Sequence, residues 1–216
     1  MAYKVVFIDE EHDQHESFQD YMDAVEDLIK VVCIYPEPNL EDMIQKIEEQ
    51  HPDAIVTDYL LNDMKEDIKY NVAYTGVELV HKYRSIRAGF PCFIITSFDN
   101  DAVSETDDVN LIYIKHILNN GEEGAKAHFY DKIREQISKY RLSITSAQSE
   151  LELLMQKRER DGLEPYEELR VVELDGFLEK TLDSHNALPK DMREMSYLKN
   201  MTTMREKVDE LLAKLG

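Results

Sequence analysis

The sequence predicts an α/β protein, an open doubly wound parallel sheet of five βα repeats followed by a region of long helices. Three observations lead there. Five short apolar runs in the first half are nearly continuous in Val, Ile, Phe and Cys, as strands covered on both faces must be. Amphipathic segments of helical period separate these runs. Beyond about Gly121 the strand-like runs stop and only helical periodicity continues.

The expected strands are Lys4 to Ile8, Val31 to Tyr35, Ala54 to Val56, Cys92 to Ile95 and Leu111 to Ile114. Between them, Phe18, Met22, Val25 and Ile29 recur at helical spacing, as do Leu40, Ile44 and Ile47, and then Leu79, Val80 and Tyr83. Asp13-x-x-Glu16, Thr75-x-x-Glu78 and Asn120-x-x-Glu123 resemble capping boxes that would start helices. Right-handed crossovers then turn the five repeats into a doubly wound sheet. In the second half, Tyr130, Ile133, Ile137, Tyr140, Ile144, Ala147, Leu151 and Leu154 alternate spacings of three and four, a coiled-coil type seam on one helix. Asp161-Gly162 should end that helix near Arg160. A second helix is expected from Pro165 to Ser184, with Val171, Leu174, Leu178 and Leu182 inward, and a third carries Met201, Met204, Val208, Leu211 and Leu215. The spacing leaves open an antiparallel bundle or pairing across a dimer axis.

Of the 216 residues, 43% are hydrophobic, enough for one ordinary core and a smaller second unit. The net charge of −20 argues against nucleic acid and acidic membrane surfaces as partners, because phosphate neutralisation needs basic residues. That charge is uneven. Residues 1–122 hold nine basic and 26 acidic residues, whereas 123–216 hold 16 and 19, so we expect two domains, 1–122 and 123–216, with the last helix of the first running into the second. No run is long enough to span a bilayer and no secretory h-region precedes a cleavage site, which makes a cytoplasmic location the expectation. Cys33 and Cys92 lie in apolar runs and read as free thiols inside the fold.

In a doubly wound sheet, ligands bind outside the carboxyl ends of the strands. There the sequence places Asp9-Glu10-Glu11 after the first run, Asp58 after the third, Thr96-Ser97 after the fourth and Lys115 after the fifth. Asp9, Glu10 and Asp58 gathered at one edge would repel one another unless a cation sat among them, and hard oxygen ligands suit Mg²⁺. Lys115 and the Thr96 hydroxyl would supply the positive charge and the donor that a transferred phosphoryl group needs. His12 and His15, three apart, read as part of a polar helix start, and His185 as a polar residue near a helix end.

Phe7-Ile8-Asp9-Glu10-Glu11, Val56-Thr57-Asp58, Ile95-Thr96-Ser97 and Ile114-Lys115 together resemble the receiver domains of two-component response regulators over roughly residues 3–122. The resemblance implies a flavodoxin-like strand order, 2-1-3-4-5. It implies Asp58 as phospho-acceptor from a partner histidine kinase or phosphotransfer protein. Asp9, Glu10, Asp58 and the backbone carbonyl of Leu60 would hold Mg²⁺. Thr96 would bind the phosphoryl oxygen with Ser97 beside it, and Lys115 would be the ion-pair partner.

The chain departs from that pattern in three places. His116 stands where Pro usually follows the Lys, so a cis peptide there is not implied. Ile112 occupies the usual aromatic switch position, while Tyr113 should point to the opposite face of its strand. Residues 59–75 exceed the usual receiver loop and carry Asp63, Lys65, Glu66, Asp67 and Lys69, which read as a solvated insertion.

The helical region holds no basic recognition helix, phosphate loop, HExxH pair or nucleophile elbow. Its expected output is protein contact, with an effector or a second copy of the chain. The four Met residues from Met192 to Met204 read as ordinary helix core. Two other functions are compatible with these residues: a receiver-like scaffold that takes no phosphate, and a Mg²⁺-dependent phosphohydrolase with Asp9 as nucleophile. The second needs an Asp two residues on, where this chain has Glu11.

Overall fold

The computed structural model of the chain describes residues 2–61, 70–97, 112–115 and 128–181. In chain order the elements are β1 (Tyr3–Ile8), α1 (His12–Asp23), β2 (Ile29–Ile34), α2 (Leu40–Glu49), β3 (Ala54–Asp58), α3 (Gly76–Ile86), β4 (Cys92–Thr96), β5 (Ile112–Ile114), α4 (Phe129–Arg160) and α5 (Pro165–Thr181). The five strands form one parallel sheet of order β2-β1-β3-β4-β5, the flavodoxin-like arrangement.

Continuous apolar strands supply both faces of this sheet because successive side chains alternate sides. From β1, Val6 and Ile8 join Ile55 and Ile94 in one layer, packed against Met43 and Ile47 of α2 and Leu79, Val80 and Tyr83 of α3. Val5 and Phe7 join Val56, Phe93 and Ile95 in the other layer, packed against Phe18 and Met22 of α1 and Phe129, Ile133 and Ile137 of α4.

Helix limits follow local chemistry. The Thr75 capping box is real: Glu78 N donates to Thr75 Oγ1 (3.3 Å) while Thr75 N donates to Glu78 Oε2 (2.8 Å). Asp13 is not a cap. It lies inside the first turn of α1, whose N-cap position is Glu11, with no side-chain cap bond. Helix α1 also stops earlier than its apolar spacing suggested. Val25 sits in a turn closed by Leu28 N and Ile29 N on its carbonyl (2.8 and 2.9 Å), and Ile29 already belongs to β2. Asn39, not singled out from sequence, caps α2 by accepting from Asp42 N. Asn120 and its candidate box lie outside the described residues.

The chain divides into two compact units, Met1–Leu142 and Ser143–Gly216, so the division falls inside α4, downstream of residue 122. The physical reason is that the seam on α4 serves two cores in succession. Phe129, Ile133 and Ile137 are buried in the sheet layer of the first unit. Ala147 and Leu151 are buried in the second unit with Val171, Leu174 and Leu178 of α5. Gly162, at φ +80°, follows the end of α4. Lys157–Glu167 and Arg170–Glu150 ion pairs (2.6 and 2.8 Å) tie α4 to α5 as an antiparallel hairpin. Leu182, His185, the Met192–Met204 group and the third expected helix lie outside the described residues.

Candidate functional site

The strand order sets β1, β3, β4 and β5 side by side, so their carboxyl ends meet along one edge. Asp9 and Glu10 follow the last residue of β1, Asp58 closes β3, Thr96 closes β4 and Lys115 follows β5. Register keeps these ends level. Ile8 pairs with Thr57, Asp58 with Ile95, and Thr96 with Ile114.

Carboxylate oxygens of Asp9, Glu10 and Asp58 lie within 4.8 Å of one another, and all three residues are buried. Lys115 Nζ sits 2.8 Å from Asp58 Oδ1 and 3.0 Å from Asp9 Oδ2. Backbone amides hold the remaining oxygens of the two aspartates: Glu11 N donates to Asp9 Oδ1 (2.9 Å) and Leu60 N to Asp58 Oδ2 (2.8 Å). Lys115 N donates to the Thr96 carbonyl (2.8 Å), which fixes where the lysine leaves the sheet. Thr96 is buried and Ser97 is exposed.

Three acids and one base in a buried site leave a surplus of negative charge, and the protonation equilibria show it. Burial pushes the Asp9 carboxyl up to about 6; the Lys115 ammonium works against this and Asp58 adds to it. Burial, reinforced by Asp9 and Asp58, pushes the Glu10 carboxyl up to about 8. For Lys115, burial disfavours the charge, but the neighbouring Asp58 and Asp9 carboxylates outweigh it and hold the ammonium above its ordinary value.

Glu10 Oε2 is buried without a hydrogen-bond partner. A hard cation among these oxygens would partner it and offset the mutual repulsion, so the donor set fits Mg²⁺.

Two contributors escaped sequence reasoning. A Cβ on Gly76 would stand 1.9 Å from the Asp58 carbonyl oxygen, so glycine alone lets the start of α3 approach β3. That approach is sealed by Gly76 N donating to the Tyr59 carbonyl (2.8 Å). The buried His15 donates from Nε2 to the Asp9 carbonyl (2.9 Å), with its ring against Phe7 and Tyr35. The Thr75 cap marks a helix start in sequence, but the approach of Gly76 to Asp58 is set by tertiary packing. His12 bonds Tyr35 Oη through Nδ1 (3.1 Å). Tyr113 lies in the layer with Phe93 and Phe129, 5.9 and 4.6 Å between ring centroids. Cys92 is buried and Cys33 partly buried, both free. His116, Phe98 and the charged residues of the 59–75 insertion lie outside the described residues.

No protein-family model matches the chain, and no curated protein matches it. Solved structures do. The receiver domain of the stress response regulator RcsB from Escherichia coli is similar at 16% identity and a TM-score of 0.40, covering 55% of this chain and 85% of that one. PhyR, an anti-anti-sigma factor from Bartonella quintana, is similar at 12% identity and a TM-score of 0.45, over 68% of this chain and 51% of that one. The response regulator RcsB in complex with DNA is similar at 15% identity and a TM-score of 0.40, over 84% and 92%. The likeness is one of fold alone. Among the described residues, no helix is long and apolar enough to cross a membrane.

Proposed function

We propose that the first unit is a phospho-acceptor module of a two-component phosphorelay, with Asp58 receiving the phosphoryl group. The observation that carries this reading is Lys115 Nζ bridging Asp58 and Asp9 beside the unpartnered, buried Glu10 Oε2. Asp9, Glu10, Asp58 and the Leu60 carbonyl would hold Mg²⁺, which supplies charge neutralisation for the transferred group.

A carboxylate is a weak nucleophile toward a phosphoryl dianion, so positioning and electrostatics supply most of the catalysis. Asp58 Oδ2 is held by the Leu60 amide, which fixes the carboxylate plane and sets Oδ1 beside the Lys115 ammonium. An Asp58 oxygen attacks phosphorus in line and forms the new O–P bond. The P–N bond to the phosphohistidine of the partner kinase or phosphotransfer protein breaks, and its electron pair returns to the imidazole nitrogen. Lys115 stays beside the acyl phosphate as counter-charge. Thr96 then offers its hydroxyl to a phosphoryl oxygen, with Ser97 at the rim, and this contact favours one conformation of the end of β4.

Leu60 and Phe98 are apolar at the two sequence positions that, by the resemblance to receiver domains, influence access of the hydrolytic water, so self-dephosphorylation is slow. A phosphoryl half-life of only seconds in purified protein would contradict this.

The helical region acts through protein contacts and not on nucleic acid: its 16 basic residues are outnumbered by 19 acidic ones, and its sequence holds no basic recognition helix. The deciding experiment is calorimetric titration of the protein with beryllium fluoride and Mg²⁺, wild type against Asp58→Asn. Binding in wild type and a loss of at least about a hundredfold in the variant are expected. Equal weak binding in both would instead establish a scaffold that takes no phosphate.

A further inference from the structure

We propose that His15 is a positioning residue for the candidate cation site, holding the peptide between Asp9 and Glu10 so that both carboxylates turn to one centre. The inference rests on reading Asp9 and Glu10 as Mg²⁺ ligands.

His15 faces inward although it is polar. With Phe18 and Met22, at spacings of three and four, it forms the buried stripe of α1. An apolar side chain would serve packing alone at such a position. The ring stands edge-on to Phe7 of β1, 5.7 Å between centroids and 74° between planes, and lies 4.7 Å from the ring of Tyr35, the residue after β2. Cys33 Sγ of β2 donates to the His15 carbonyl (3.8 Å), which ties the backbone to the same strand. The orientation of the ring is thus fixed from β1, from β2 and from its own helix.

That orientation delivers a donor. Asp9 is wholly buried and stands one residue past the last register pairs of β1, Ile8 with Ile34 and Ile8 with Thr57. Nε2 of His15 meets its carbonyl at 2.9 Å, and since a carbonyl only accepts, Nε2 carries the proton. On the other side of Glu10, Glu11 N donates to Asp9 Oδ1 (2.9 Å). The carbonyl entering Glu10 and the amide leaving it are both held, so the backbone torsions that aim the Glu10 side chain are held too. Carboxylate oxygens of Asp9, Glu10 and Asp58 lie within 4.8 Å of one another, an arrangement that mutual repulsion would open. The His15 bond restrains it from the backbone side, where it takes no ligand oxygen away from a cation.

Calorimetric titration of the full chain with Mg²⁺ tests the proposal. His15→Phe keeps a ring between Phe7 and Tyr35 and loses the donor, whereas His15→Gln loses the ring and keeps an N–H at nearly the reach of Nε2. His15→Phe is expected to weaken Mg²⁺ binding at least about tenfold, and His15→Gln to stay within about threefold of wild type. His15→Met, carried in parallel, removes the donor with a flexible side chain, so that a packing fault peculiar to the Phe ring does not decide the result. Thermal midpoints in chelator supply the control: affinity should follow the donor whatever the order of the midpoints, and a purely structural role would make affinity follow the midpoints. Wild-type affinity in both His15→Phe and His15→Met, or an equal loss in His15→Gln, overturns this inference alone. Absence of Mg²⁺ binding in wild type would overturn the reading of Asp9 and Glu10 as ligands and the role of His15 with it.

Discussion

Without Mg²⁺ at pH 8, Lys115→Met is expected to lower the unfolding free energy by about 3–5 kcal/mol, because it leaves Asp9 and Asp58 buried without their shared cation. The effect should shrink at low pH, and the sign follows from the carboxyls. Asp9 and Glu10 have folded values near 6 and 8, above their unfolded values of 3.8 and 4.5. The folded chain therefore keeps protons that the unfolded chain releases. Their contribution is complete below about pH 4 and is lost as pH rises through 6 and 8. Wild-type protein free of Mg²⁺ thus loses stability across this window, and Mg²⁺ recovers most at its upper end, where ionised ligands are plentiful. In Lys115→Met the loss steepens, since the ammonium is what restrains the rise at Asp9. Denaturant unfolding at pH 5 and 8, with and without Mg²⁺, reads all of this. A variant as stable as wild type at pH 8 would show that Lys115 carries no structural charge balance.

Gly76→Ala should destabilise the first unit by about 3 kcal/mol. Its new methyl group would fall 1.9 Å from the Asp58 carbonyl oxygen and 2.9 Å from the carbonyl carbon, both backbone atoms that cannot rotate away. Either α3 backs off, breaking the bond from Gly76 N to the Tyr59 carbonyl, or β3 shifts and carries Asp58 with it. Both outcomes should also weaken beryllium fluoride binding at least tenfold in the fraction that folds. Alanine tolerated with wild-type stability and affinity would mean that the contact between α3 and β3 does not position Asp58.

Much of this was readable because strands buried on both faces announce themselves. The runs at Lys4–Ile8 and Cys92–Ile95 need only burial to be strands, and their polar successors then fall at the sheet edge wherever the helices lie. Helix ends were less legible. The apolar period of α1 runs on through Val25 to Ile29, and only the turn bonds to the Val25 carbonyl show that the helix has stopped. The seam from Tyr130 to Leu154 was visible as one stripe, yet periodicity carries no label for its neighbours. Its first half belongs to the sheet layer and its second half to the hairpin with α5.

By itself, the sequence determined the succession of the described elements, the carboxylates, hydroxyl and amine at the strand ends, and the acidic character that disfavours polyanions. These follow from local pattern and composition, which need no knowledge of distant neighbours. Tertiary structure alone decided that Lys115 reaches both Asp9 and Asp58, that Glu10 keeps a buried oxygen unpartnered, that His15 braces the Asp9 carbonyl, and that Gly76 must lack a side chain. Each of these depends on distances between segments far apart in the chain, set by sheet register and helix packing and carried by no local signal.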